Sequence, residues 1–206
     1  MPKLYYTPTS CGASNFIAAY VAGLNLEVEQ VALGTHTTDS GADFYKINPK
    51  GNVPAIVLDD GMVLNENAAT LQWIADQKPG TVAPENGTSA RYELQAALSY
   101  VSSEFHGSIG PLFYPSSEEV QAYLRAKLQK KLEYVESTFV GDKEYVVGDK
   151  FSVADSYLYI CLTWSRYLNV DLTPFPKTNA YLERIGNLPK VKEAHERMAT
   201  KPTHVI

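Results

Sequence analysis

The first part of the chain takes its fold from a hairpin-forming stretch, VPAIVLDDGMVL, at residues 53–64. Two short apolar runs flank Asp60-Gly61, and Asp-Gly is a strong hairpin signal because glycine tolerates a positive φ. We therefore predict two antiparallel strands, over residues 53–58 and 62–64. A helical segment from Glu66 to Asp76 follows and is stopped by Pro79-Gly80.

The segments before this hairpin alternate between strand and helix patterns. Lys3–Thr7 is a compact aromatic run, and Ser14–Ala22 carries apolar residues at near-helical spacing. Glu27–Leu33 alternates polar with apolar residues, which is typical of a strand, and Gly34–Gly41 is a polar loop. The predicted order is β-α-β, then a β-hairpin, then α, which fits a small mixed sheet with helices on its faces.

Beyond residue 88 the apolar residues recur at helical spacing almost throughout. Two buried stripes are expected, one at Leu94, Ala97, Leu98, Val101 and Phe105, the other at Leu124, Leu128, Leu132, Val135 and Phe139. Further helices are expected near residues 153–168, 179–185 and 189–199, the first opened by a capping box at Ser152–Asp155. We predict an α/β plus all-α protein, with an N-terminal domain at 1–80, a linker at 81–88 and an all-helical domain at 89–206.

Composition and charge exclude several classes of protein. The 206 residues carry a formal charge of -5 and a pI near 5.4, so no overall basic field is available to hold nucleic acid. The longest apolar stretches, such as residues 17–21 and 157–162, fall far short of the roughly 20 residues needed to span a membrane. The N-terminus lacks a signal-peptide pattern, so we expect a cytoplasmic protein. The sequence has no metal-ligand spacing and no phosphate-binding loop.

The two cysteines have different predicted roles. Cys161 lies on an apolar helical stripe and is expected to be a small core residue. Cys11 follows a strand and precedes a helix, where free N–H groups and the helix dipole favour a thiolate. The Cys-x-x-Ser form of residues 11–14 suits a nucleophile without a resolving thiol. An inert cysteine buried under the first helix is the alternative.

Pro54 marks a second candidate spot. A cis bond between Val53 and Pro54 would turn the Val53 main chain outward, leaving its N–H and C=O free to pair with an extended ligand. The alternative is an ordinary trans proline at the start of an edge strand.

Glu66 and Asn67 form a third spot, at the start of a helix. Free N–H groups there can take the carboxylate of an amino-acid zwitterion while Glu66 takes its ammonium group. The alternative is a simple helix cap with an acidic residue in the first turn.

Several strings together resemble a known family. They are Leu4-Tyr5-Tyr6-Thr7-Pro8 with Ser10-Cys11, Asn48-Pro49-Lys50-Gly51-Asn52-Val53-Pro54, the Glu66 helix start, and Phe151-Ser152-Val153-Ala154-Asp155. The whole chain resembles a cytosolic glutathione transferase, most of all the bacterial beta class with an active-site cysteine. The resemblance implies a thioredoxin-like N-terminal domain that binds glutathione and a helical domain that binds the electrophile. It also implies a homodimeric detoxification enzyme with glutathione as co-substrate and no other cofactor.

The resemblance also assigns roles to individual residues. Val53 would pair with the cysteinyl main chain of glutathione across cis-Pro54, and Glu66 with Asn67 would hold its γ-glutamyl end. His36 stands where the family has a lysine for the glycyl carboxylate, and Ser99 and Ser103 would line the site from the helical domain. The candidates for stabilising the thiolate are Cys11, Ser10, Tyr6 and His106.

The sequence departs from the family pattern at four positions. A second serine after the cysteine is replaced by Gly12, the lysine by His36, a serine or glycine by Asn67, and an asparagine by Ser99. Because a neutral imidazole donates only one hydrogen bond, we expect the histidine to weaken the contact with glycine's carboxylate.

Three functions follow from these residues. The first is conjugation of glutathione to small apolar electrophiles. The second keeps the fold and uses Cys11 for glutathione-dependent thiol-disulfide exchange. The third is a non-catalytic module that binds glutathione or another ligand, because a fold does not dictate activity.

Overall fold

The computed structural model describes residues 1–200. Their contacts divide the chain into two units. Unit 1 contains Met1–Pro84 together with the segment that starts at Leu188, and unit 2 contains Glu85–Asn187.

A five-stranded mixed sheet forms the centre of unit 1. Its strands are β1 (Lys3–Tyr6), β2 (Glu27–Ala32), β3 (Thr37–Thr38), β4 (Ala55–Val57) and β5 (Val63–Asn65). They lie in the order β3-β2-β1-β4-β5. β1 pairs parallel with β2 and antiparallel with β4, and the other neighbours are antiparallel. The predicted mixed sheet is therefore confirmed.

Two helices of unit 1 follow strands of this sheet. α1 (Ala13–Ala22) ends at Gly23, whose φ of 66° provides the left-handed cap that glycine favours. α2 (Asn67–Gln77) follows the hairpin of β4 and β5 and packs on α1. β3 lies in the stretch expected to be a loop, because a strand of two residues leaves no periodic pattern in the sequence.

Unit 2 is entirely helical in the described chain. Its α-helices are α3 (Ser89–Tyr100), α4 (Gly107–Ile109), α5 (Glu118–Tyr134), α6 (Val153–Thr163), α7 (Ser165–Leu168) and α8 (Pro176–Asn187). Val101–His106 and Val135–Phe139 continue α3 and α5 as π-helical turns. The first predicted stripe is at most 5% exposed, and Cys161 is fully buried as expected. The predicted thioredoxin-like and all-helical architecture is confirmed.

A buried carboxylate fixes the start of α6. Asp155 is fully buried and accepts hydrogen bonds from the Ser152 N–H (2.9 Å), the Ser152 hydroxyl (2.7 Å), the Val146 N–H (2.8 Å) and the Tyr181 hydroxyl (2.8 Å). The capping box expected at Ser152–Asp155 is thus present, and it also ties α8 to the loop before α6.

The last helix, α9 (Pro189–Ala199), packs on α1 within unit 1. The Gln30 amide donates to the Met198 carbonyl at 2.9 Å, and Lys190 Nζ donates to the Val21 carbonyl at 2.9 Å. The contacts therefore group α9 with the sheet, whereas the predicted limits placed it in the helical domain. Within residues 1–200, no helix is both long enough and apolar enough to cross a bilayer.

Candidate functional site

Cys11 lies in the turn between β1 and α1. The turn is closed by the Ser10 N–H, which donates to the Thr7 carbonyl at 3.0 Å. Cys11 is partly exposed, and its thiol donates to the Val53 carbonyl at 3.6 Å. The structure therefore brings two of the predicted site residues, Cys11 and Val53, into direct contact.

Burial and main-chain donors act in opposite directions on this thiol. Burial raises the pKa of Cys11 to about 12, although the N–H groups of Cys11 and Gly12 favour the thiolate. The N–H groups expected at the start of α1 are thus present beside the sulfur, but burial outweighs them. In the free protein, Cys11 is a protonated thiol at neutral pH.

The main chain of Val53 lies just outside the sheet. The Val53–Pro54 peptide bond is cis, which confirms the cis hypothesis. Among residues 1–200 no strand pairs with Val53, because the registers of β4 with β1 and with β5 both end at Ala55. In the described part of the chain, the Val53 main chain therefore lies outside the strand pairing of the sheet.

The hydroxyl groups of two other candidates, Tyr6 and Ser10, form hydrogen bonds with residues other than Cys11. Tyr6 is fully buried, stacks on Phe16 with ring centroids 5.1 Å apart, and accepts from the Gln30 amide at 3.4 Å. Burial raises the pKa of Tyr6 to about 12. Ser10 donates its hydroxyl to the Thr7 carbonyl at 2.9 Å and accepts from the Gly12 N–H at 3.1 Å. Both side chains stabilise the folded chain around Cys11.

Glu66 is the residue that precedes α2. Its φ of 73° is unusual for a residue with a side chain, and it points an exposed carboxylate at the Lys50 ammonium. The Lys50 Nζ also donates to the Asn65 side-chain oxygen at 3.1 Å. The Glu66 carboxylate, which we predict to bind the ammonium group of a ligand, is therefore paired with the Lys50 ammonium.

The Asn67 side chain faces the protein interior. It is 6% exposed, accepts from the Asn15 amide at 2.6 Å, and donates to the Ser14 hydroxyl at 3.1 Å. Ser14 in turn donates to the Cys11 carbonyl at 2.7 Å. Asn67 thus links α2 to the Cys11 turn, and its main-chain N–H is the group better placed to meet a ligand at the helix start.

His36 is held in one orientation by three contacts. Its Nδ1 lies 2.8 Å from the Gly51 carbonyl, and its ring centroid is 4.5 Å from that of Tyr45. Its φ of 51° turns the main chain so that its carbonyl accepts from the Phe44 N–H at 2.8 Å. Because a carbonyl only accepts, Nδ1 carries the proton, and a neutral His36 ring then offers only an acceptor at Nε2.

The three predicted residues of unit 2 lie on α3 and the π-helical turn after it. Ser99 and Ser103 are exposed, and the Ser103 hydroxyl donates to the Ser99 carbonyl at 2.8 Å. His106 is partly buried with its Nδ1 2.7 Å from the Tyr157 hydroxyl, and its ring meets Trp164 edge-on at 5.0 Å. Burial lowers the pKa of His106, which favours the neutral form of its ring.

Each of the two units contains residues that match a family model of known proteins, and both models describe the same family. Residues 13–77 match a family model described as the N-terminal domain of glutathione S-transferase, and residues 103–197 match the corresponding C-terminal domain model. The glutathione S-transferase GstA of Escherichia coli O157:H7 is 35% identical over 195 residues, which cover 93% of this chain and 96% of that protein. This chain belongs to the glutathione S-transferase family.

Solved structures extend the comparison. A glutathione S-transferase from a sphingomonad, complexed with glutathione, is 37% identical with a TM-score of 0.90, covering 96% of this chain and 98% of that one. A bacterial beta-class glutathione S-transferase of Sphingomonas chungbukensis is 38% identical with a TM-score of 0.89, covering 95% and 98%. The chain is thus a beta-class-like glutathione transferase, and these relatives support an enzyme over the non-catalytic module.

Sequence reasoning missed one charged partner in this glutathione transferase. Lys50 lies in the turn motif Asn48-Pro49-Lys50-Gly51, and its ammonium group contacts Glu66. Nothing in the spacing of the two residues indicates this contact, because β4 and β5 separate them along the chain. Over residues 1–200, no group of three or more His, Cys, Asp or Glu side chains is arranged to hold a metal ion.

Proposed function

We propose that this glutathione transferase conjugates glutathione to small apolar electrophiles. The observation that carries the proposal is the contact between the Cys11 thiol and the carbonyl of Val53. The main chain of Val53 lies just before β4, outside its pairing with β1. A tripeptide that pairs there as an extra strand has its own thiol next to the turn before α1.

The proposed ligand lies along unit 1 in an extended form. Its cysteinyl residue pairs with Val53, and its γ-glutamyl ammonium meets Glu66 while the carboxylate meets N–H groups at the start of α2. His36, whose Nδ1 lies beside the Gly51 carbonyl, is our candidate for the glycyl carboxylate, and only the imidazolium form of its ring has a second N–H, at Nε2, to donate to that group. The family resemblance implies that Ser99 and Ser103 also bind glutathione and that His106 takes part in catalysis.

The reaction is a nucleophilic substitution by sulfur. The glutathione thiol loses its proton to solvent, its sulfur bonds to the electrophilic carbon, and the leaving group departs with the electron pair. Thiols of ordinary pKa are only a few per cent ionised at pH 7, so fixed donors raise the rate by favouring the thiolate. The N–H groups of Cys11 and Gly12 are donors of this kind, because they act in favour of the Cys11 thiolate although burial outweighs them there.

A turnover assay with glutathione and a chlorodinitrobenzene tests the proposal. We expect release of chloride and formation of the thioether well above the uncatalysed rate. Glu66→Gln, which keeps the size of the side chain and removes its charge, should raise the KM for glutathione more than it lowers kcat. Folded protein that gives no rate above background would remove the transferase proposal.

The partial exposure of Cys11 favours thiol-disulfide exchange as a second activity. The Cys11 thiol first loses its proton to solvent, a step that its raised pKa makes slow at neutral pH. The resulting thiolate attacks the glutathionyl sulfur of a mixed disulfide, which releases the other thiol as a thiolate and leaves glutathione bonded to Cys11. A second glutathione thiolate then attacks that bond, forming oxidised glutathione and restoring Cys11. Cys11→Ala should abolish this exchange, and Cys11→Ser is the closest control for side-chain size. Exchange at the original rate in Cys11→Ala would exclude this mechanism.

We also propose that the protein is a cytoplasmic homodimer, as the family resemblance implies. Light scattering at assay concentration should give twice the mass of one 22.8 kDa chain. A single-chain mass at that concentration would refute the dimer. Cell fractionation tests the location, and recovery outside the cytoplasmic fraction would contradict it.

A further inference from the structure

The ion pair between Lys50 and Glu66 has no role in the function proposed so far. The Lys50 ammonium bonds to Glu66 Oε1 and donates to the Asn65 side-chain oxygen at 3.1 Å. The two charged side chains are 51% and 64% exposed, so a ligand in solution can reach both. A cation thus stands beside the carboxylate that we assign to the ligand's ammonium group.

Lys50 is held in this position by a buried asparagine. Asn48 is fully buried, and its amide donates to the Asn52 carbonyl at 2.7 Å. Its side-chain oxygen accepts from the Lys50 N–H at 3.3 Å and from the Asn65 amide at 3.3 Å. Asn48 therefore fixes both the main chain of Lys50 and the side chain of Asn65 that the Lys50 ammonium contacts.

We propose that Lys50 is a second charged binding residue for the α-amino-acid end of glutathione, an inference that rests on the proposed function. A lysine ammonium has three N–H donors, and Glu66 with Asn65 engages two of them. The third is available for the α-carboxylate of the ligand. Glu66 likewise has a second carboxylate oxygen, Oε2, for the ligand's ammonium group.

The resulting arrangement is a ring of four alternating charges. In order around the ring they are the Lys50 ammonium, the Glu66 carboxylate, the ligand's ammonium and the ligand's α-carboxylate. Each charge has an opposite charge on both sides, so the ligand can bind without breaking the existing ion pair. The pair therefore selects ligands that carry both charges of an amino acid over ligands that carry only the ammonium group.

Isothermal titration calorimetry tests this inference with two ligands. One is glutathione, and the other is its analogue with a 4-aminobutanoyl group in place of γ-glutamyl, which keeps the ammonium and lacks the α-carboxylate. Lys50→Met should weaken glutathione binding about tenfold without weakening binding of the analogue. Lys50→Arg should restore most of the affinity, and Lys46→Met, which removes the same charge from a neighbouring exposed position, should have no effect.

Several results would overturn the inference. Tighter binding of both ligands by Lys50→Met would mean that Lys50 only competes with the ligand's ammonium for Glu66. Equal weakening of both ligands would mean that Lys50 acts through the fold or through general charge. If the unchanged protein binds glutathione normally in either case, the proposed function stands. No binding of glutathione by the unchanged protein would overturn both.

Discussion

The Cys11 thiol, in the β1–α1 turn, and the carbonyl oxygen of Val53, two residues before β4, lie 3.6 Å apart. The carbonyl that we assign to the peptide of glutathione therefore already accepts a hydrogen bond in the free protein. A carbonyl oxygen has two lone pairs, so a ligand N–H that bonds to Val53 would share this oxygen with the Cys11 thiol. In the proposed complex, Cys11 and the ligand therefore contact the same main-chain oxygen.

The first prediction concerns the reactivity of Cys11. We expect iodoacetamide to alkylate it slowly at pH 7, with a rate that still rises at pH 10, because burial raises the pKa of Cys11 to about 12. An ordinary cysteine, with a pKa of about 8.5, levels off near pH 9.5. Mass spectrometry of the labelled peptide gives the rate, and Cys11→Ala reports any reaction at the fully buried Cys161. A plateau below pH 9 would contradict this prediction.

The second prediction concerns His36→Lys. A neutral His36 whose Nδ1 proton is used on the Gly51 carbonyl has no donor for a carboxylate, whereas lysine has three. We expect glutathione to bind roughly three- to tenfold more tightly by calorimetry. Lysine also fits the positive φ of this position less well than histidine, so the free energy of unfolding should fall by about 1 kcal/mol.

His36→Asn is the matched control for the main chain, since asparagine tolerates a positive φ and carries no charge. It should bind glutathione no more tightly than the unchanged protein. If His36→Lys and His36→Asn have the same affinity, the ligand carboxylate does not reach this position.

The third prediction concerns stability in acid. Burial disfavours the Glu29 carboxylate, but hydrogen bonds from Lys3, Ser40 and Thr38 outweigh it and lower the pKa of Glu29 to about 2. Because this pKa lies below the unfolded value of about 4.3, the stabilisation is complete above pH 4.3 and is lost as the pH falls towards 2. We expect Glu29 to account for about 2 kcal/mol of this loss.

Urea unfolding at pH 7, 4 and 3 measures this contribution. Glu29→Gln should be less stable at pH 7 and should lose less stability between pH 4 and 3 than the unchanged protein. Parallel losses in the two proteins would show that other carboxylates dominate the acid response.

The fourth prediction concerns the buried carboxylate at the start of α6. Asp155→Ala removes the acceptor of four hydrogen bonds and leaves their donors buried. We expect a loss of about 3–5 kcal/mol in the free energy of unfolding, measured with urea. Tyr181→Phe removes only one of the four donors and should cost about 1 kcal/mol. Equal effects of the two substitutions would contradict this account of Asp155.

The parts of the fold that follow from local rules could be predicted from the sequence. The hairpin around Asp60-Gly61 was predicted because a positive φ at Gly61 is a local requirement, and φ there is 85°. The helices of unit 2 were predicted because their buried residues recur at a fixed spacing. Gly23 and the capping box at Ser152 likewise set helix ends through contacts close in sequence.

The parts that depend on distant contacts could not be predicted. The direction of the Asn67 side chain is decided by Ser14 and Asn15, which lie on another helix. The cation at Glu66 comes from Lys50 across the β4–β5 hairpin. The pKa of Cys11 depends on how deeply the turn before α1 is buried, and a helix start alone indicates the opposite direction.

The packing of α9 on α1 affects how the protein is made. The ribosome releases the C-terminal segment last, yet that segment completes the layer built by the earliest residues through the bond from Gln30 to Met198. Domains commonly fold during synthesis in order from the N-terminus. Here the layer that residues 1–84 build lacks its contacts with α9, including the bond from Gln30 to Met198, until residues 188–199 have been synthesised.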